Sequence, residues 1–438
     1  MKFFDREDKI EKLRAIRDKS ASESQFTVIT GRRRVGKTEL VKRAYGDEDF
    51  AYLYVSRKSE RDLVAGFIEE VNRFEPGAIS AEVHTVEGFL KELFKLAKTR
   101  HITVFIDEFQ DFRKVNAAVF SILQGLWDRE HDKIKLNLVV CGSINTLMNQ
   151  IFLNRKEPLY GRQTAFIRIE PFSIAVLKDI LRYHKRNYKP EDLLALWAFT
   201  GGVAKYVAVL MDAGATDLEA MIDTAIQSDS FFLEEGRILL GDEFGKDYAV
   251  YFSILSAIAR GVTTRNEIEQ SVGRQVGGYL TRLESDYHLI SKKTPFGAKT
   301  TRQIKYQIED SFYRFWFRFI FKYDYVVQMG AFEVLRKYVK RDYPTFSGFA
   351  LERYFQRKFA ESGEWTCLGN WWDRKGENEI DLIAEDELND RLIVAEVKRD
   401  RERIDLDALR AKFAAFTKAS GKFKRANPDF VGLSLEDM

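Results

Sequence analysis

A short glycine-containing loop near the N-terminus places the strongest constraint on how this chain can fold. Residues 31–38 read GRRRVGKT, a G-x-x-x-x-G-K-T pattern, between the apolar run 26–29 and a helical run that begins at Glu39. Glycines in such a loop let backbone N–H groups turn inward around a polyphosphate, and the following helix adds partial positive charge at its N-terminus. An ordinary glycine turn before a helix is the alternative. The order of strand, loop and helix favours a site for nucleotide phosphates.

The pattern also assigns individual roles within the loop. Lys37 is expected to meet the β- and γ-phosphates of ATP, and Thr38 is expected to contact Mg²⁺. The predicted nucleotide-binding residues are Gly31, Arg32, Arg33, Arg34, Val35, Gly36, Lys37, Thr38, Glu39 and Ser143.

A second motif downstream supports the same chemistry. The run 102–106 is typical of a buried parallel strand, and Asp107 and Glu108 follow it directly. Asp107 is predicted to hold Mg²⁺ through water, and Glu108 is predicted to orient or deprotonate the attacking water. Two acids at the start of a loop would be the simpler explanation. With both motifs present, the sequence predicts hydrolysis of ATP as well as binding.

Strands and helices alternate along this region, which predicts a parallel α/β sheet. The expected elements are strands at 51–55, 102–106 and 136–141, and helices at 60–74, 86–98 and 116–130. The last strand runs into the segment GSIN, at 142–145. Ser143 and Asn145 are therefore expected at the carboxyl edge of the sheet, beside the γ-phosphate.

Composition limits the remaining classes of function. A chain of 438 residues, 45% of them hydrophobic, is too long for one typical core, so three domains are expected. Its 70 basic and 67 acidic residues nearly cancel, so any contact with DNA has to be local. Cys141, Cys367 and the five histidines form no metal-binding pattern. The charged N-terminus and the lack of about eighteen uninterrupted apolar residues predict a cytoplasmic protein without a membrane segment.

Five segments in the first half of the chain resemble the archaeal-type ATPase family of the AAA+/STAND group. They are FFDREDKIEKL, TGRRRVGKTEL, VFIDEFQDF, VVCGSINTLM and PLYGRQTAFIRIEPF. The resemblance implies an ATPase core at 1–170 and a helical lid at 171–240, which includes the segment TGGVA at 200–204. It also implies that Arg162 contacts nucleotide phosphate or a neighbouring subunit of a homo-oligomer, as an arginine finger does in cis or in trans. An exposed structural arginine is an equal alternative.

The middle of the chain, at 241–325, has the element order of a winged helix. Helices are expected at 248–260, 265–272 and 275–286, with Thr264 capping the second, and strand-like arms at 289–291 and 303–308. The residues expected to be available for DNA contact are Arg274, Gln275, Tyr279, Arg282, Lys292, Lys293, Lys299, Arg302 and Lys305. Winged helices in ATPase chains also serve as packing modules, so both roles stay open.

An aromatic run at 312–321 follows the winged-helix pattern. It is expected to form a helical core, with a base-stacking platform as the less favoured alternative. A helical linker is expected at 326–345.

The C-terminal region, 346–438, contains two alternating strands at 378–385 and 392–398, separated by the turn-like segment DELNDR. A hairpin centred between Leu388 and Asn389 would place Asp381 opposite Glu396. Directly opposed carboxylates repel, and Mg²⁺ would convert the repulsion into coordination. Asp381 and Glu396 are therefore predicted metal ligands, and Lys398 is predicted to stabilise a phosphorane or orient water.

This Asp…Glu-x-Lys arrangement resembles the PD-(D/E)XK nucleases. Glu352, on a helix predicted at 346–359, matches the additional acidic residue of that group. The segments from FSGFALERYF to LIVAEVKRD also resemble the C-terminal domain that is often fused to archaeal-type ATPases. The alternative pairs Glu379 with Lys398 and leaves the other carboxylates solvated or bound to nearby arginines.

Together these patterns predict an α/β multidomain protein. Its expected parts are a P-loop AAA+ parallel sheet with a helical lid, a winged helix, and an α/β restriction-endonuclease-like C-terminal domain. The expected activity is ATP hydrolysis coupled to a DNA-binding, Mg²⁺-dependent nuclease-like domain, with Glu108, Lys37, Arg162, Lys398 and Glu352 as catalytic residues. The competing prediction is a nucleotide-switched regulator whose C-terminal domain binds a partner without cleaving DNA.

Overall fold

The apolar runs of the N-terminal half pair into one parallel sheet. The computed structural model describes residues 1–46, 50–56, 58–143, 145–298, 304–421, 423 and 427–438. The strands of the sheet are β1 (Gln25–Thr30), β2 (Ala51–Tyr54), β3 (Ile102–Asp107), β4 (Leu136–Cys141) and β5 (Ala165–Arg168). Within the described residues they lie in the order β2–β3–β4–β1–β5, and each pairing is parallel. The predicted parallel α/β sheet is confirmed.

Helices cover both faces of this sheet. They are α1 (Glu7–Ser20), α2 (Lys37–Tyr45), α3 (Glu60–Phe74), α4 (Val86–Ala97), α5 (Phe112–Val115), α6 (Val119–Glu130) and α7 (Asn145–Leu153). Side chains alternate along each strand, so Val104 and Ile106 of β3 pack with α3, α4 and α6, whereas Phe105 packs with α1 and α2. Burial on both faces explains why these strands read as continuous apolar runs in the sequence.

The strand order brings distant segments of the chain to one edge of the sheet. The carboxyl ends of parallel strands share an edge, and β4 lies between β1 and β3. The segment after β4 therefore lies between the glycine loop after β1 and the two acids after β3. Ligands of open α/β sheets bind beyond this edge. The N-terminal unit that contains the sheet spans Phe3–Pro171.

The C-terminal unit, formed by residues 172–438 together with Met1 and Lys2, begins with a series of helices. They are α8 (Ile174–His184), α9 (Pro190–Thr200), α10 (Ala204–Asp212), α11 (Leu218–Ala225), α12 (Phe231–Phe244), α13 (Tyr248–Ala259), α14 (Arg265–Val272) and α15 (Gly277–Ser285). Two antiparallel strands follow, β6 (Ile290–Lys293) and β7 (Lys305–Ile308). Thr264 caps α14, as the sequence predicted, and Glu267 completes a reciprocal cap with it.

The rest of the unit contains the aromatic segment, a long helix and a second sheet. The elements are α16 (Ser311–Phe315), α17 (Asp324–Gln328), α18 (Phe332–Ser362), β8 (Cys367–Trp372), β9 (Glu379–Asp386), β10 (Arg391–Val397), α19 (Leu406–Ser420) and β11 (Asp429–Leu433). Helix α18 continues through Pro344. The linker expected at 326–345 and the helix expected at 346–359 therefore share one continuous helix, and the predicted start near 346 is wrong.

The aromatic segment forms a helical core, as expected. Phe312, Phe315 and Trp316 are fully enclosed. The indole N–H of Trp316 donates to the backbone carbonyl of Leu233, at 3.0 Å, which satisfies its polar atom inside the core. Among the described residues, no helix is both long enough and apolar enough to cross a membrane.

The second sheet has the order β11–β10–β9–β8 within the described residues. Strands β8, β9 and β10 are antiparallel neighbours, and β11 runs parallel to β10. In the hairpin, Arg391 pairs with Asp386 and Ala395 pairs with Leu382. This register is the one expected for a turn centred between Leu388 and Asn389.

Gly236→Ala is expected to destabilise the C-terminal unit, because a Cβ atom there would lie 2.3 Å from the ring of Trp316. Overpacking of this kind costs about 1–3 kcal/mol. The higher helix propensity of alanine offsets at most roughly 1 kcal/mol of this cost. Urea unfolding should therefore give a lower midpoint for this variant.

Gly241→Ala on the same helix is the matched control, because no atom of the described residues lies within 4 Å of its added Cβ. Its urea midpoint should equal or exceed that of the wild type. Equal midpoints for the two variants would contradict the packing of α12 against Trp316.

Candidate functional site

The glycine loop lies at the carboxyl end of β1 and needs glycine at both ends. The φ angles of Gly31 and Gly36 are 150° and 97°, which side chains other than glycine rarely adopt. A Cβ atom on Gly31 would also lie 2.5 Å from the carbonyl oxygen of Ile169. Helix α2 begins at Lys37, two residues before the predicted start. The loop therefore leads directly into a helix N-terminus, as a phosphate site requires.

Lys37 folds back onto the backbone of this loop. Its Nζ donates to the carbonyl oxygens of Gly31, at 2.8 Å, and Arg32, at 3.0 Å. Burial lowers the pKa of Lys37, while the neighbouring Cys141, Glu108 and Asp107 act in the opposite direction. The contact of Lys37 with phosphate oxygens stays a prediction.

Asp107 accepts hydrogen bonds from side chains of one helix and two strands. Its Oδ2 accepts from the hydroxyl of Thr38, at 2.8 Å, and from the hydroxyl of Tyr52, at 3.0 Å. Its Oδ1 accepts from the thiol of Cys141, at 2.8 Å. Burial and the Asp107 charge raise the pKa values of Tyr52 and Cys141, so both groups keep their protons and act as neutral donors.

The pair formed by Thr38 and Asp107 fits a magnesium ion by its donor chemistry. A hydroxyl and a carboxylate oxygen are hard ligands, which Mg²⁺ prefers, usually while keeping several waters. The contacts of Tyr52 and Cys141 with Asp107 were missed by the sequence analysis. They depend on which strands are neighbours, and a motif confined to one segment carries no signal for them.

Ser143 connects the glycine loop to Glu108. Its hydroxyl donates to Oε2 of Glu108, at 2.7 Å, and accepts from Nε of Arg33, at 3.2 Å. Gln110 also donates to Glu108. Glu108 itself has a φ of 53°, a left-handed conformation that is uncommon for glutamate and is concentrated at functional sites. Ser143 therefore lies at the predicted edge, whereas Ile144 and the side chain of Asn145 lie outside the described part of the chain.

Arg162 lies at the opposite, amino edge of the sheet. Its Nε and one terminal nitrogen bind the carboxylate of Asp128 at 3.2 and 3.1 Å. Two residues later, the N–H of Thr164 donates to the carbonyl of Phe26, at the start of β1. The six residues of β1 separate this edge from the glycine loop by about 20 Å. This position does not favour a contact of Arg162 with phosphate in its own loop, and its role, in cis or in trans, stays a prediction.

Asp381 and Glu396 meet around the ammonium group of Lys398. Lys398 Nζ lies 3.4 Å from Oδ2 of Asp381 and 3.3 Å from Oε1 of Glu396. Lys412 on α19, which the sequence analysis missed, lies 3.0 Å from the same oxygen of Glu396. The alternative, in which Glu379 pairs with Lys398, is wrong, because Glu379 instead forms an ion pair with Lys305 of β7.

The surroundings push the pKa values of the two carboxylates apart. Burial raises the pKa of Asp381, and Lys398 opposes this increase only in part. For Glu396, burial also acts upward, yet Lys412 and Lys398 hold its pKa below the ordinary value. Paired carboxylates with separated pKa values are a common arrangement for acid and base chemistry.

Glu352 on α18 has a strongly shifted pKa near this centre. Burial, followed by repulsion from Asp381 and Glu379, raises the pKa of Glu352 to about 8. The helix therefore places Glu352 close enough to Asp381 and Glu379 for their charges to act on it. Its match to the additional acid of the nuclease motif stays a prediction. Among the described residues, no group of three His, Cys, Asp or Glu side chains forms a metal cluster. Asp381 and Glu396 still supply carboxylate oxygens, and one or two carboxylates plus water are a usual Mg²⁺ set.

The basic residues predicted to contact DNA are largely paired with acids. Lys292 lies 2.5 Å from Glu284, and Lys293 lies 3.2 Å from Glu309. Lys305 lies 3.3 Å from the carboxylate of Glu379. Lys299 and Arg302 lie outside the described residues. The ion pairs reduce the positive charge that these lysines offer to a phosphate backbone.

The comparisons with known proteins agree with the geometry of the sheet edge. A family model described as an ATPase domain predominantly from Archaea matches residues 3–210. A second model, of archaeal and bacterial proteins of unknown function, matches residues 316–409. An uncharacterized protein of Methanocaldococcus jannaschii is 31% identical over 430 residues, which cover 93% of this chain and 91% of the relative. The chain belongs to the archaeal-type ATPase family.

Solved structures show the fold of this archaeal-type ATPase. The Walker-type ATPase of Pyrococcus abyssi is 18% identical with a TM-score of 0.53, and the match covers 72% of this chain and 96% of that one. The ORC2 protein of Aeropyrum pernix, solved in ADPNP–ADP complexes, is 13% identical with a TM-score of 0.51, and the match covers 74% and 94%. The predicted P-loop AAA+ fold is confirmed.

Glu108→Gln is expected to slow ATP hydrolysis by about 10²- to 10⁴-fold, because an amide cannot take a proton from the attacking water. Binding of ATP should persist, since the glycine loop is unchanged. Phosphate release and the affinity for a fluorescent ATP analogue would measure the two effects. Glu87→Gln, on exposed α4 surface, serves as the control. A wild-type rate in Glu108→Gln would remove Glu108 from the catalytic step.

Glu352→Gln is expected to change how stability depends on pH. The folded protein binds the proton of Glu352 more tightly than the unfolded chain, because its pKa is raised from 4.5 to about 8. Wild-type stability therefore falls as pH rises through this window, and the variant lacks this loss. The urea midpoint of Glu352→Gln relative to wild type should rise between about pH 5 and pH 8.

Glu387→Gln is the control for this pH series, because Glu387 lies exposed in the hairpin turn. Its midpoint should differ from wild type by a constant amount across the same range. A pH-independent difference for Glu352→Gln as well would contradict a buried, proton-retaining carboxyl group.

Proposed function

We propose that this archaeal-type ATPase hydrolyses ATP to control a DNA-binding, Mg²⁺-dependent nuclease-like centre in its C-terminal unit. The observation that carries the nuclease part is the convergence of Asp381, Glu396 and Lys398 at the ends of paired strands, with Glu352 beside them. Such a convergence of acids and a lysine is difficult to explain as surface packing, since Glu396 is only 6% exposed.

In the ATPase part, each side chain at the sheet edge has a separate task. Lys37 binds the β- and γ-phosphates, and Thr38 and Asp107 hold Mg²⁺, which supplies positive charge to the phosphates. Glu108 orients or deprotonates water for attack on the γ-phosphate. Ser143 holds Glu108 through the 2.7 Å hydrogen bond and senses changes at the phosphate position.

In the nuclease-like part, Asp381 and Glu396 are the residues that would hold Mg²⁺. The ion would stabilise negative charge on a phosphodiester and supply bound water. Lys398 lies within reach of both acids and would orient water or stabilise the charge that develops on the phosphorus oxygens. Glu352, with its raised pKa, is suited to hold or release a proton near neutral pH.

Contacts inside the C-terminal unit support control of this centre by the lid helices. Arg399, the residue after Lys398, forms a paired contact with Glu191 in the first turn of α9, at 3.1 and 2.6 Å. Paired arginine–carboxylate contacts fix orientation as well as distance. A lid movement that follows γ-phosphate loss would therefore pull on the strand end that carries Lys398.

A nucleotide-controlled regulator that never cuts DNA is the second candidate. It is favoured by the lysines at Glu396, because Lys398 and Lys412 already compensate its charge. In this case the C-terminal unit would bind a partner, and slow ATP turnover would act as a timer.

Simple DNA binding through the winged-helix region is a further alternative. Its affinity would fall steeply with salt even in the presence of a chelator.

Glu396→Gln is expected to abolish DNA cleavage without loss of ATP hydrolysis, because it removes a charged metal ligand from the nuclease-like centre only. Purified wild type and variant would be incubated with ATP, Mg²⁺ or Mn²⁺, and linear, nicked and branched DNA. Lys37→Ala, which removes the phosphate contact, should abolish ATP hydrolysis and change the rate of cleavage.

Glu387→Gln serves as the matched acid-to-amide control on the same hairpin and should cut as the wild type does. Cleavage that persists in Glu396→Gln would exclude this centre as the nuclease. ATP turnover without cleavage under each condition would instead favour the regulator.

A further inference from the structure

A basic cavity lies between the β6–β7 arm, helix α18 and the edge of the second sheet. Its volume is about 330 Å³, in the range of small-ligand pockets. Among the described residues that line it, six are basic and two are acidic; the basic ones are Arg260, Lys293, Lys305, Arg314, Arg318 and Arg353. The cavity lies wholly within the C-terminal unit, and its two acidic residues are Glu379 and Glu352, the second of which also belongs to the proposed nuclease-like centre.

Arg314 and Arg318 are the unusual members of this lining. They come from the aromatic segment, in which the residues around them, such as Phe315 and Phe317, are fully enclosed in the core. A π-helical turn covers Trp316–Ile320. Turns of this kind are frequent at functional sites. Arg314, before this turn, and Arg318, within it, both line the cavity from the same buried segment.

Arg314 and Arg318 lack a close ion-pair partner among the described residues. No carboxylate oxygen lies within 4 Å of their guanidinium nitrogens there, whereas Arg353 binds Glu309. Burial, followed by the charge of Arg353, lowers the pKa of Arg314, and the charges of Glu352 and Glu309 oppose this decrease only in part. Enclosing a cation beside other cations is unfavourable unless an anion compensates it.

The remaining walls indicate the size and character of that anion. Phe346, Phe349 and Trp372 provide aromatic surface, and Gln356 and Asn370 provide amides. The cavity is larger than an inorganic phosphate needs, and aromatic faces beside arginines suit a base or sugar next to a phosphate. We propose that this cavity binds the 5′-phosphate of a nucleotide through Arg314 and Arg318. The nucleotide is either free or the end of a DNA strand.

Binding to phosphorylated and unphosphorylated probes in chelator tests this site without any cleavage. Each full-length protein would carry Lys37→Ala, so that the glycine loop does not contribute. The probes are thymidine 5′-monophosphate, thymidine, and a short thymidine oligonucleotide with either a 5′-phosphate or a 5′-hydroxyl. Arg318→Gln and Arg314→Gln should each weaken binding of the phosphorylated probes by about 10- to 100-fold.

Arg341→Gln is the matched control, because Arg341 lies outside the cavity and pairs with its neighbour Asp342. It should bind as the parent does. Should Arg314→Gln fail to fold by circular dichroism, Arg318→Gln and the charge-retaining Arg314→Lys, which should keep most of the affinity, carry the test.

The binding data distinguish a DNA end from a free nucleotide and also show whether the proposed site is wrong. Tighter binding of the phosphorylated oligonucleotide than of the monophosphate supports a DNA end, and equal or weaker binding supports a free nucleotide. Equal affinity for phosphorylated and unphosphorylated probes, or parental affinity in Arg318→Gln, would overturn the site. A lack of saturable binding by both phosphorylated probes would overturn it as well. Since nothing is cut in chelator, the result is independent of whether Glu396 supports cleavage.

Discussion

The parallel pairing of β3 with β4, and of β4 with β1, is the constraint on which the nucleotide site depends. It brings Thr38 and Asp107 within 2.8 Å although 69 positions of sequence separate them. It also directs the thiol of Cys141 towards Asp107. A one-residue slip of β4 would turn that thiol to the other face of the sheet and would remove Ser143 from Glu108. The register of three strands therefore determines the chemistry at their ends.

Local signals explain how much of the fold could be predicted from the sequence. The helix at 60–74 and the strand at 136–141 agree with the prediction at both ends, because Ser59 caps the helix and five of the six residues of the strand are apolar. Helix α18 departs from the prediction, because packing carries it through Pro344 where the local rule favours a break. The same holds for the candidate sites. The glycine loop and the acids could be predicted from local motifs, whereas Tyr52 and Lys412 reach their partners through strand order and helix packing.

The two acidic centres of the chain balance their charges in different ways. Asp107 is surrounded by neutral donors, from Thr38, Tyr52 and Cys141, which stabilise a negative charge without cancelling it. Such a carboxylate still attracts a cation. Asp381 and Glu396 share Lys398, so a cation arriving there must displace an ammonium group. If the second centre holds Mg²⁺, as proposed, it would admit the ion only when Lys398 moves towards another anion, such as a phosphodiester.

Helix α18 mechanically connects two parts of the C-terminal unit. Near its start, Arg336 binds the carbonyl of Ile226 just after α11, at 2.9 Å, and sixteen residues later Glu352 stands beside the hairpin acids. Those residues span about 24 Å of one helix. Pro344, midway between them, lacks one helical hydrogen bond, and helices bend most readily at proline. The helix therefore connects the segment after α11 to the acids of the hairpin through one element with a single proline at its midpoint.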